Sequence, residues 1–524
     1  MITSPGPAEY ADSYLVEVLE EFGLAQKYVR AEGNTLFRLA DDGTEVGVFD
    51  CASGFGSLMF GHNNPDLVAH AKRLLDEQTP IHAQFSGYSY AVDLAAALNS
   101  IIRRELRTED KFYGLFGNSG AEAVEITIKH AELDRGARIA ELDDAVRAHV
   151  EAARSAVASG AVLTDRARAL IGGNVGDETE AFARLVAEME GRNAETRRRP
   201  PLFLALEGGF HGKLVSSVQL TFNEEFRGPF KALAAQARFV PMDRPELIAK
   251  VAEEERAVLL GPVLRDGVVD VAEHDFPVFA AFLVEPILGE AGIKPMTSEL
   301  AAAVRAACDT IGCPLVSDEI QSGMGRSGTF LAGTQIGLVP DYVIVAKALG
   351  GGIAKLGVVL VNEHRYRKEF ELMHTSTYGR DGFSSRLALK VLEMLEADDG
   401  LAYRLAAERG AAAEAMMRGI HADFPDVVKE VHGKGLMLGL ELHDQSGSAS
   451  EEIREAVKYE ALAFVIGGHL LRKHRIRIFS TASNVDTMRF EPSVYLTDEE
   501  IARFDAALRD VCSILRDQDP SRFV

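Results

Sequence analysis

Short apolar runs bounded by turn residues alternate with segments of helical periodicity from about residue 112 to residue 360. This alternation is typical of a mainly parallel sheet covered by helices. The runs are FYGLF (112–116), LFLAL (202–206), AFLVE (281–285), PLVSD (314–318) and YVIVA (342–346). Because they are short and apolar on both faces, they match strands that are buried between two layers of helices. The pattern therefore predicts an α/β domain.

The pattern changes after about residue 375, where long helical segments precede short strands. Helical periodicity covers SSRLALKVLEMLEA and an Ala-rich run, and strands are predicted near GLMLGLEL, RIRIF and MRFEPS. This arrangement indicates a smaller α+β unit. We therefore divide the chain into an N-terminal segment that packs with the small domain (1–60), a large domain (61–370) and a small C-terminal domain (371–524).

The stretch from about residue 135 to residue 199 interrupts the strand and helix alternation. Its apolar residues recur at helical spacing, as in Ile139, Leu142, Val146 and Val150, and in Phe182, Leu185, Val186 and Met189. The stretch has no recognisable chemistry of its own. It predicts a helical insertion in the large domain, and our hypothesis is that the insertion contacts a carrier or partner protein or caps the site entrance.

The charge, the apolar runs and the cysteine content of the chain limit the kinds of partner and compartment that we expect. The chain has 524 residues with 56 Lys+Arg against 79 Asp+Glu, a formal net charge of −23. This excess of negative charge disfavours nucleic-acid binding, which depends on cations that neutralise phosphates. The first residues lack the basic start and apolar block of a signal peptide, and no apolar run is long enough to span a membrane. The cysteines are too few and too irregularly spaced for a disulfide framework, so we expect reduced thiols and a cytoplasmic protein without membrane contact.

One glycine-bounded turn is a candidate anion site. In GLFGNSGAEAVEITIKHAEL a predicted strand leads into a helix whose first exposed amides belong to Ser119, Gly120 and Ala121. A phosphate placed there would meet unpaired N–H groups and the positive end of the helix dipole. An ordinary strand-to-helix turn has the same pattern, so both interpretations stay open.

Two charged residues follow predicted strands. Asp318 ends PLVSD, and Lys347 follows YVIVA and precedes a glycine triplet. Ligands collect at the carboxyl ends of parallel strands, so both side chains are expected in one crevice. A desolvated lysine there can attack a carbonyl to form a Schiff base, and the aspartate can hold a pyridinium nitrogen protonated. A buried Lys–Asp ion pair is the structural alternative.

At this point the motifs resemble a known family. They are, in order, GNSGAEAVE, EGGFHG, VEPILGEAG, VSDEIQSGMGRSG, DYVIVAKALGGG, HTSTYG, GKGLMLGLEL and MRFEPS. The set is similar to that of the class III aminotransferases, which are fold type I enzymes that use pyridoxal phosphate. The resemblance implies a mainly parallel seven-stranded sheet in a large cofactor-binding domain, a smaller α+β C-terminal domain, and the helical insertion as an addition.

The resemblance also implies a set of cofactor contacts. Lys347 would bind the cofactor aldehyde, Asp318 would pair with the pyridine nitrogen, and Gln321 would lie by the ring hydroxyl. Phe210 would stack on the ring. The other implied cofactor-binding positions are Ser119, Gly120, Ala121, His211, Glu285 and Thr377. Because Thr377 matches a threonine that reaches the phosphate of the neighbouring subunit, the resemblance implies a homodimer with shared active sites.

Two further positions concern the substrate. Arg489 in MRFEPS matches an arginine that binds a substrate carboxylate, and Glu290 in ILGEAG matches a glutamate that neutralises this arginine for substrates without an α-carboxylate. Guanidinium presents paired donors to a carboxylate, so the assignment is chemically reasonable. A structural salt bridge between the two residues is the alternative.

The sequence therefore predicts a pyridoxal-phosphate-dependent aminotransferase that moves an amino group from an amine or amino acid donor to a 2-oxo acid or aldehyde acceptor in a ping-pong order. An aminomutase, racemase or decarboxylase on the same fold is the first alternative. A nicotinamide oxidoreductase would need GMGRSG (323–328) to open a long helix, but TFLAGTQIGLVP follows it. A catalytically silent scaffold is the remaining alternative. We predict no metal site.

Overall fold

The computed structural model of the chain describes residues 12–82, 86, 89–173, 175–233 and 235–524. Within this part of the chain, a seven-stranded sheet forms the centre of the large domain. Its strands, in spatial order, are Phe112–Gly117, Gly357–Asn362, Tyr342–Val345, Leu315–Asp318, Phe279–Val284, Leu202–Leu206 and Gln236–Val240. All neighbours are parallel except Gly357–Asn362, which is antiparallel to both of its neighbours. The predicted mainly parallel sheet is confirmed.

The sheet contains every strand that the sequence predicts for the large domain, and two strands that it does not. Gln236–Val240 is an edge strand with few fully buried positions, so it lacks the continuous apolar run of an interior strand. Gly357–Asn362 is fully buried. It was not predicted, because it follows a glycine-rich turn at the end of the region in which strands and helices alternate. Gln236–Val240 extends the sheet at one edge, and Gly357–Asn362 lies between Phe112–Gly117 and Tyr342–Val345.

Helices cover the sheet on both faces. The helix Gly120–Ala158 follows the first strand directly, and the helix Ser298–Ile311 precedes the strand that ends in Asp318. The other helices of this region, including short and 3₁₀ turns, are Ser53–Gly56, Pro65–Asp76, Tyr90–Leu106, Ser217–Leu220, Glu224–Arg227, Gly228–Phe230, Leu247–Glu254, Ala332–Ile336, Lys347–Gly350 and Phe370–Met373. A two-residue ladder joins Ile287–Leu288 to Lys294–Pro295. No helix among the described residues is long and apolar enough to cross a membrane.

The insertion is larger than the sequence predicts. It begins inside the single continuous helix Gly120–Ala158 and continues through Val162–Leu163, Asp165–Leu170 and Glu178–Arg197. A later hairpin, Val258–Arg265 with Val268–Asp275, pairs with Val162–Leu163 and completes it. The apolar core of this unit includes Val150, Val157, Phe182, Leu185, Met189, Val269 and Val271. Periodicity cannot show that strands about 60 residues later complete a helical segment, because that pairing is tertiary.

The C-terminal region forms the predicted α+β unit. The long helix Gly382–Asp423 is broken at Ala397–Gly400, where the backbone leaves helical geometry. An antiparallel sheet of Val428–Lys434, Met437–Leu442 and Thr487–Phe490 packs beside it. The remaining helices are Glu451–Lys458, Leu462–His474, Asp498–Asp517 and Pro520–Arg522.

The N-terminal segment and the C-terminal region share a sheet. The helix Ser13–Glu21 precedes the strands Tyr28–Glu32, Thr35–Leu39 and Glu45–Asp50. The last of these pairs in parallel with Ile476–Arg477, which belongs to the predicted RIRIF strand. This strand therefore joins the N-terminal sheet instead of the small-domain sheet. The division into 1–60, 61–370 and 371–524 stays a prediction.

The G-x-G-x-x-G match has a structural explanation. Residues 323–328 are turns, and the short 3₁₀ helix Ala332–Ile336 follows them. Arg326 within the match is fully buried and donates hydrogen bonds to the carbonyl oxygens of Gly56, Leu436 and Pro492, at 3.2, 2.9 and 3.0 Å. The motif thus ties the large domain to the N-terminal and C-terminal regions, and no long helix follows it as a dinucleotide fingerprint requires.

Candidate active site

Lys347 lies at the carboxyl edge of the sheet, two residues after the end of the strand Tyr342–Val345. Its side chain lines a cavity of ≈ 680 Å³. Its backbone φ of 44° is left-handed, which strains a residue with a side chain. Burial lowers the pKa of its ammonium group, although the charges of Glu491 and Glu290 act in the opposite direction. A lysine with a lowered pKa is more often neutral and therefore nucleophilic.

Asp318 ends the adjacent parallel strand, where it pairs in register with Ile344, three residues before Lys347. One of its carboxylate oxygens accepts a hydrogen bond from His211 Nδ1 at 2.8 Å, and the other accepts one from the backbone N–H of Ile320 at 3.2 Å. Burial disfavours the imidazolium, but the hydrogen bond and charge of Asp318 outweigh this effect and raise the pKa of His211. The imidazole thus holds the Asp318 carboxylate in a fixed position.

Glu285 and Gln321 hold the surrounding loops. Glu285 accepts hydrogen bonds from the backbone N–H groups of Phe210 at 2.8 Å and Gly289 at 3.2 Å. Burial raises the pKa of Glu285 to about 7. Gln321 Nε2 donates to Glu491 at 2.6 Å. Glu285 therefore fixes the backbone of Phe210, and Gln321 connects the large domain to the motif that contains Arg489.

The candidate phosphate turn lies at the start of the helix Gly120–Ala158. The Ser119 hydroxyl caps this helix by accepting a hydrogen bond from the backbone N–H of Glu122 at 3.2 Å. The first amides of a helix have no acceptor within the helix and are available to an anion. Gly212 lies against this turn, since a Cβ on Gly212 would be 2.8 Å from the Cβ of Ala121. The loop of His211 and the turn are thus in direct contact.

Arg489 and Glu290 form a buried ion pair that lines the same cavity. Arg489 Nη2 lies 2.5 Å from Glu290 Oε2, and it also donates to the carbonyl oxygen of Ser480 at 3.2 Å. Glu290 accepts a further hydrogen bond from the N–H of Ala482 at 2.8 Å. Burial acts against both charges, yet mutual attraction lowers the pKa of Glu290 and raises the pKa of Arg489. Arg489 Nη1 is buried without a hydrogen-bond partner among the described residues.

Thr377 lies in an exposed turn outside this cavity. The neighbouring Ser376 hydroxyl accepts a hydrogen bond from Asn118 Nδ2 at 2.7 Å. Asn118 follows the first strand and directly precedes Ser119. The turn that contains Thr377 therefore packs beside the candidate phosphate turn, with the Thr377 side chain exposed in the single chain.

A family model for the class-III aminotransferases matches residues 23–511. The chain belongs to this family. Among solved structures, an ornithine aminotransferase from Toxoplasma gondii has a TM-score of 0.65 at 18% identity, covering 94% of this chain and 91% of that one. An amine transaminase from an uncultivated Pseudomonas species, in the pyridoxal-phosphate-bound form, has a TM-score of 0.65 at 20% identity, covering 93% and 95%.

An N-acetylornithine aminotransferase from Stenotrophomonas maltophilia is 23% identical with a TM-score of 0.59, and the match covers 96% of this chain and 100% of that chain. At these identities the likenesses show the fold, which is the fold type I architecture. As a class III aminotransferase, this chain is a pyridoxal-phosphate-dependent enzyme that transfers amino groups.

The described residues of this aminotransferase fit the cofactor. The cavity at Lys347 combines an amine, whose pKa burial lowers, with Phe210 as an aromatic wall. His211 Nε2 is buried and has no hydrogen-bond partner among the described residues. This ring nitrogen is therefore available to a polar group of a ligand. The helix N-terminus at Ser119 has amides that could bind a phosphate. The donor set thus matches an aldehyde, a heteroaromatic ring and a phosphate.

Two buried acids in this aminotransferase were missed by sequence reasoning. Glu491 receives the hydrogen bond of Gln321 and lies 3.9 Å from Arg489 Nη1. Glu319 accepts from the N–H of Gly333 at 2.7 Å and from the Ser322 hydroxyl at 2.6 Å, and burial raises its pKa to about 7. Glu319 directly follows Asp318, and Glu491 lies two residues after Arg489. This proximity to predicted site residues was the signal in the sequence that could have identified both acids.

Several histidines form hydrogen bonds with carboxylates. His62 Nε2 lies 2.9 Å from Asp50, as His211 lies close to Asp318. Among the described residues, two groups have metal-compatible spacing: His469, His474 and Asp510, and Glu430, His432 and Glu441. In the first group the N–H of Val524 donates to His469 Nδ1, so His469 Nε2 carries the proton toward Asp510 and cannot bind a metal in this tautomer.

We predict that Gly212→Ala weakens cofactor binding. The φ of Gly212 is 111°, and a methyl group there would meet Ala121 at 2.8 Å and push the His211 loop away from the phosphate turn. We expect the dissociation constant of pyridoxal phosphate to rise about tenfold, a loss equivalent to one charge-assisted hydrogen bond. Fluorescence titration of the cofactor-free protein measures this constant.

Gly267→Ala is the matched control, because Gly267 also has a positive φ, of 79°, but a methyl group at this position would meet no atom within 4 Å. It carries the backbone strain without the collision. Equal cofactor affinity in the two variants would contradict the role of the Gly212 contact.

Proposed function

We propose that this aminotransferase moves an amino group from an amine or amino acid donor to a 2-oxo acid or aldehyde acceptor in a ping-pong order. When bound, pyridoxal phosphate supplies an aldehyde for the amino group and a ring that withdraws electrons from the reacting carbon. The observation that supports the proposal is the placement of Lys347 and Asp318 at the carboxyl ends of two adjacent parallel strands.

Lys347 is suited to act as the general base and general acid that moves the proton of the donor carbon. Burial lowers the pKa of its ammonium group, so Lys347 Nζ can accept a proton from the donor carbon and return it later. Asp318 would hold the cofactor by accepting a hydrogen bond from the protonated ring nitrogen, and His211 fixes the Asp318 carboxylate in place. Phe210 supplies a flat apolar surface for the ring, and Glu285 fixes its backbone.

The ion pair of Arg489 and Glu290 supports a dual substrate preference. In the paired state the positive charge of Arg489 is neutralised, so the cavity accepts an amine or aldehyde without an α-carboxylate. If a dicarboxylate such as glutamate displaces Glu290, Arg489 can bind its carboxylate with two donors. Both half-reactions could then use one cavity.

We predict that Glu290→Gln shifts the preference toward carboxylate substrates. Arg489 would lose its anionic partner and bind a 2-oxo dicarboxylate more readily, so we expect the KM of that acceptor to fall about tenfold, as one charge-assisted hydrogen bond allows. The kcat/KM for a simple amine should fall by a similar factor. Steady-state kinetics of both half-reactions provide the measurement.

Glu299→Gln is the control, because Glu299 is an exposed acid in the first turn of the helix Ser298–Ile311. If Glu290→Gln and Glu299→Gln gave the same acceptor KM, the ion pair would be structural only.

A homodimer with shared active sites is also part of the proposal. Thr377 is exposed beside the phosphate turn, and exposed apolar side chains surround it in sequence: Leu372, Met373 and Tyr378. Such a patch is typical of a surface that a second protein covers. Sedimentation equilibrium tests the proposal, and a monomer of 56.9 kDa at micromolar concentration would refute it.

The order of the reaction is tested by varying donor and acceptor together. Parallel double-reciprocal lines, with release of the deaminated donor before the acceptor is added, would support a ping-pong transamination. Intersecting lines would contradict it. Loss of carbon dioxide, inversion of a chiral donor, or migration of its amino group without transfer would instead support a decarboxylase, racemase or aminomutase.

Two further expectations stay predictions. The cysteines Cys51, Cys308, Cys313 and Cys512 are buried and free, which agrees with the expected cytoplasmic location. Detection of the protein in cell fractions tests this location. The insertion could still contact a carrier or partner protein, and deletion of residues 140–195 without any change in assembly, activity or substrate range would refute that role.

A further inference from the structure

The cavity at Lys347 has a wall of aromatic and apolar side chains. Phe55 and Phe479 lie with ring centroids 6.1 Å apart, and Phe464 stacks on Phe22 at 5.4 Å. Leu24, Ala463 and Val485 complete this side of the cavity. Apart from Lys347, the charged side chains that line the cavity are Lys213, Glu290, Glu460 and Arg489, and Glu290 and Arg489 neutralise each other.

Two guanidinium groups fix the orientation of this wall. Arg489 Cζ lies 4.8 Å from the centroid of the Phe55 ring, and Arg477 Cζ lies 4.7 Å from that of Phe479. Arg477 is itself held by Asp50 at 2.9 Å. Cation–π contacts of this kind stabilise the rings on one face and leave the other face available. The rings of Phe55 and Phe479 are therefore held in place before a ligand binds.

The backbone that presents Phe55 is strained. Ser53, Gly54 and Phe55 have consecutive φ values of 40°, 61° and 56°. Left-handed conformation is unfavourable for residues with a Cβ, and such strain persists where the fold needs a side chain in a particular place. Phe55 keeps 43% of its surface exposed, which is unusual for a phenylalanine held by strain and suits a ring that contacts a ligand.

A smaller side pocket adjoins the cavity. This second pocket has a volume of ≈ 160 Å³ and shares Glu460, Ala463 and Val485 with the main cavity. Its other lining residues are the apolar Leu442, Val457, Leu462, Ile466 and Met488, together with the acid Asp486. An extended molecule held near Lys347 could therefore run along the aromatic wall and place its far end in this pocket.

We propose that the amine or carbonyl substrate of this aminotransferase carries an uncharged apolar tail, alkyl or aryl, which lies against Phe55 and Phe479 and ends in the side pocket. This inference rests on the proposed function and specifies its substrate class. The tail gains binding energy because it removes its own surface and that of the aromatic wall from water.

The experiment measures the first half-reaction with straight-chain amines from propylamine to octylamine, followed by the absorbance change of the bound cofactor. We expect kcat/KM to rise about fourfold for each methylene group until the pocket is filled, as burial of one methylene predicts. A 1,n-diamine of equal length should react more slowly, because its second ammonium would lose water along the rings of Phe55 and Phe479.

Ala463→Phe is the test variant, because Ala463 lines both cavities. We expect it to reduce the slope of log kcat/KM against chain length to less than half. Phe479→Ala should reduce the slope as well, because it removes part of the apolar wall and, unlike Ala463→Phe, does not fill the cavity. Val465→Phe is the matched control on the same helix, since Val465 lines neither cavity, and it should retain the wild-type slope. Thermal unfolding checks that each variant folds.

A slope below twofold per methylene in the wild type would overturn the inference while leaving transamination intact. A preference for diamines would also overturn it, and would indicate that Glu460 and Asp486 on the side pocket bind a cationic end. If no amine of any length changed the cofactor absorbance, the proposed function would fail and this inference with it.

Discussion

Replacing Lys347 by alanine should lower kcat for amino transfer by about 10⁴-fold or more, because it removes both the nucleophile for the cofactor and the general base. The side chain lines the cavity and its pKa is lowered by burial, so few other groups could substitute for it. The variant should bind pyridoxal phosphate without the absorbance of a lysine adduct. Single-turnover spectra with an amine donor provide the measurement.

Lys355→Ala is the matched control, because Lys355 is an exposed lysine eight residues further along the chain. It should retain wild-type activity and absorbance. Borohydride reduction followed by peptide mapping gives an independent result: the wild type and Lys355→Ala should carry a pyridoxyl group at position 347, and Lys347→Ala should carry none. A tag on another lysine would refute the assignment.

Replacing Asp318 by asparagine should lower kcat by about 10³-fold, because a neutral amide cannot stabilise positive charge at the ring nitrogen as a carboxylate does. The substitution keeps the size of the side chain and one hydrogen-bond acceptor. The KM for the amine should change much less than kcat, since Asp318 acts on the cofactor and not on the substrate. Steady-state and single-turnover kinetics at saturating cofactor separate the two parameters.

The same variant has a predicted effect on the pH dependence of stability. Asp318 raises the pKa of His211, so the stabilisation from the His211 charge is fully present below pH 6.5 and is lost as pH rises through the folded-state pKa. Asp318→Asn should therefore lose most stability at about pH 6, by about 3 kcal/mol as for a broken buried ion pair. Urea unfolding of the cofactor-free protein between about pH 5.5 and 8.5 measures this difference.

Asp309→Asn is the control for both measurements, since Asp309 is an exposed acid that pairs with Arg305. A loss of kcat smaller than about tenfold in Asp318→Asn would contradict its action on the cofactor. A stability difference independent of pH would contradict the pairing with His211.

Local sequence was sufficient for much of the large domain. Buried parallel strands need apolar residues on both faces, so runs such as PLVSD and YVIVA could be recognised without knowledge of their neighbours. The topology of parallel sheets then placed Asp318 and Lys347 at one edge, and their register in the structure agrees. The motif set gave the family, which the match over residues 23–511 confirms.

The contacts that complete the site depend on residues far apart in sequence. His211 and Asp318 are 107 residues apart, and Gln321 and Glu491 are 170 apart. Periodicity reports which face of one element is buried, but it contains no information about which other element covers that face. The same limit explains why the sequence did not show that Ile476–Arg477 pairs with the N-terminal sheet, or that the hairpin Val258–Arg265 with Val268–Asp275 completes the insertion.

The amino-acid sequence by itself determined the family, the buried strands and the residues at their carboxyl ends, because these depend on local apolar pattern and on residue type. Only the tertiary structure decided how Glu285 fixes the backbone of Phe210, how Arg477 and Arg489 contact the rings of Phe479 and Phe55, and that a smaller side pocket adjoins the main cavity. These features arise where separate elements meet, and the free energy of such contacts depends on distances that no single segment specifies.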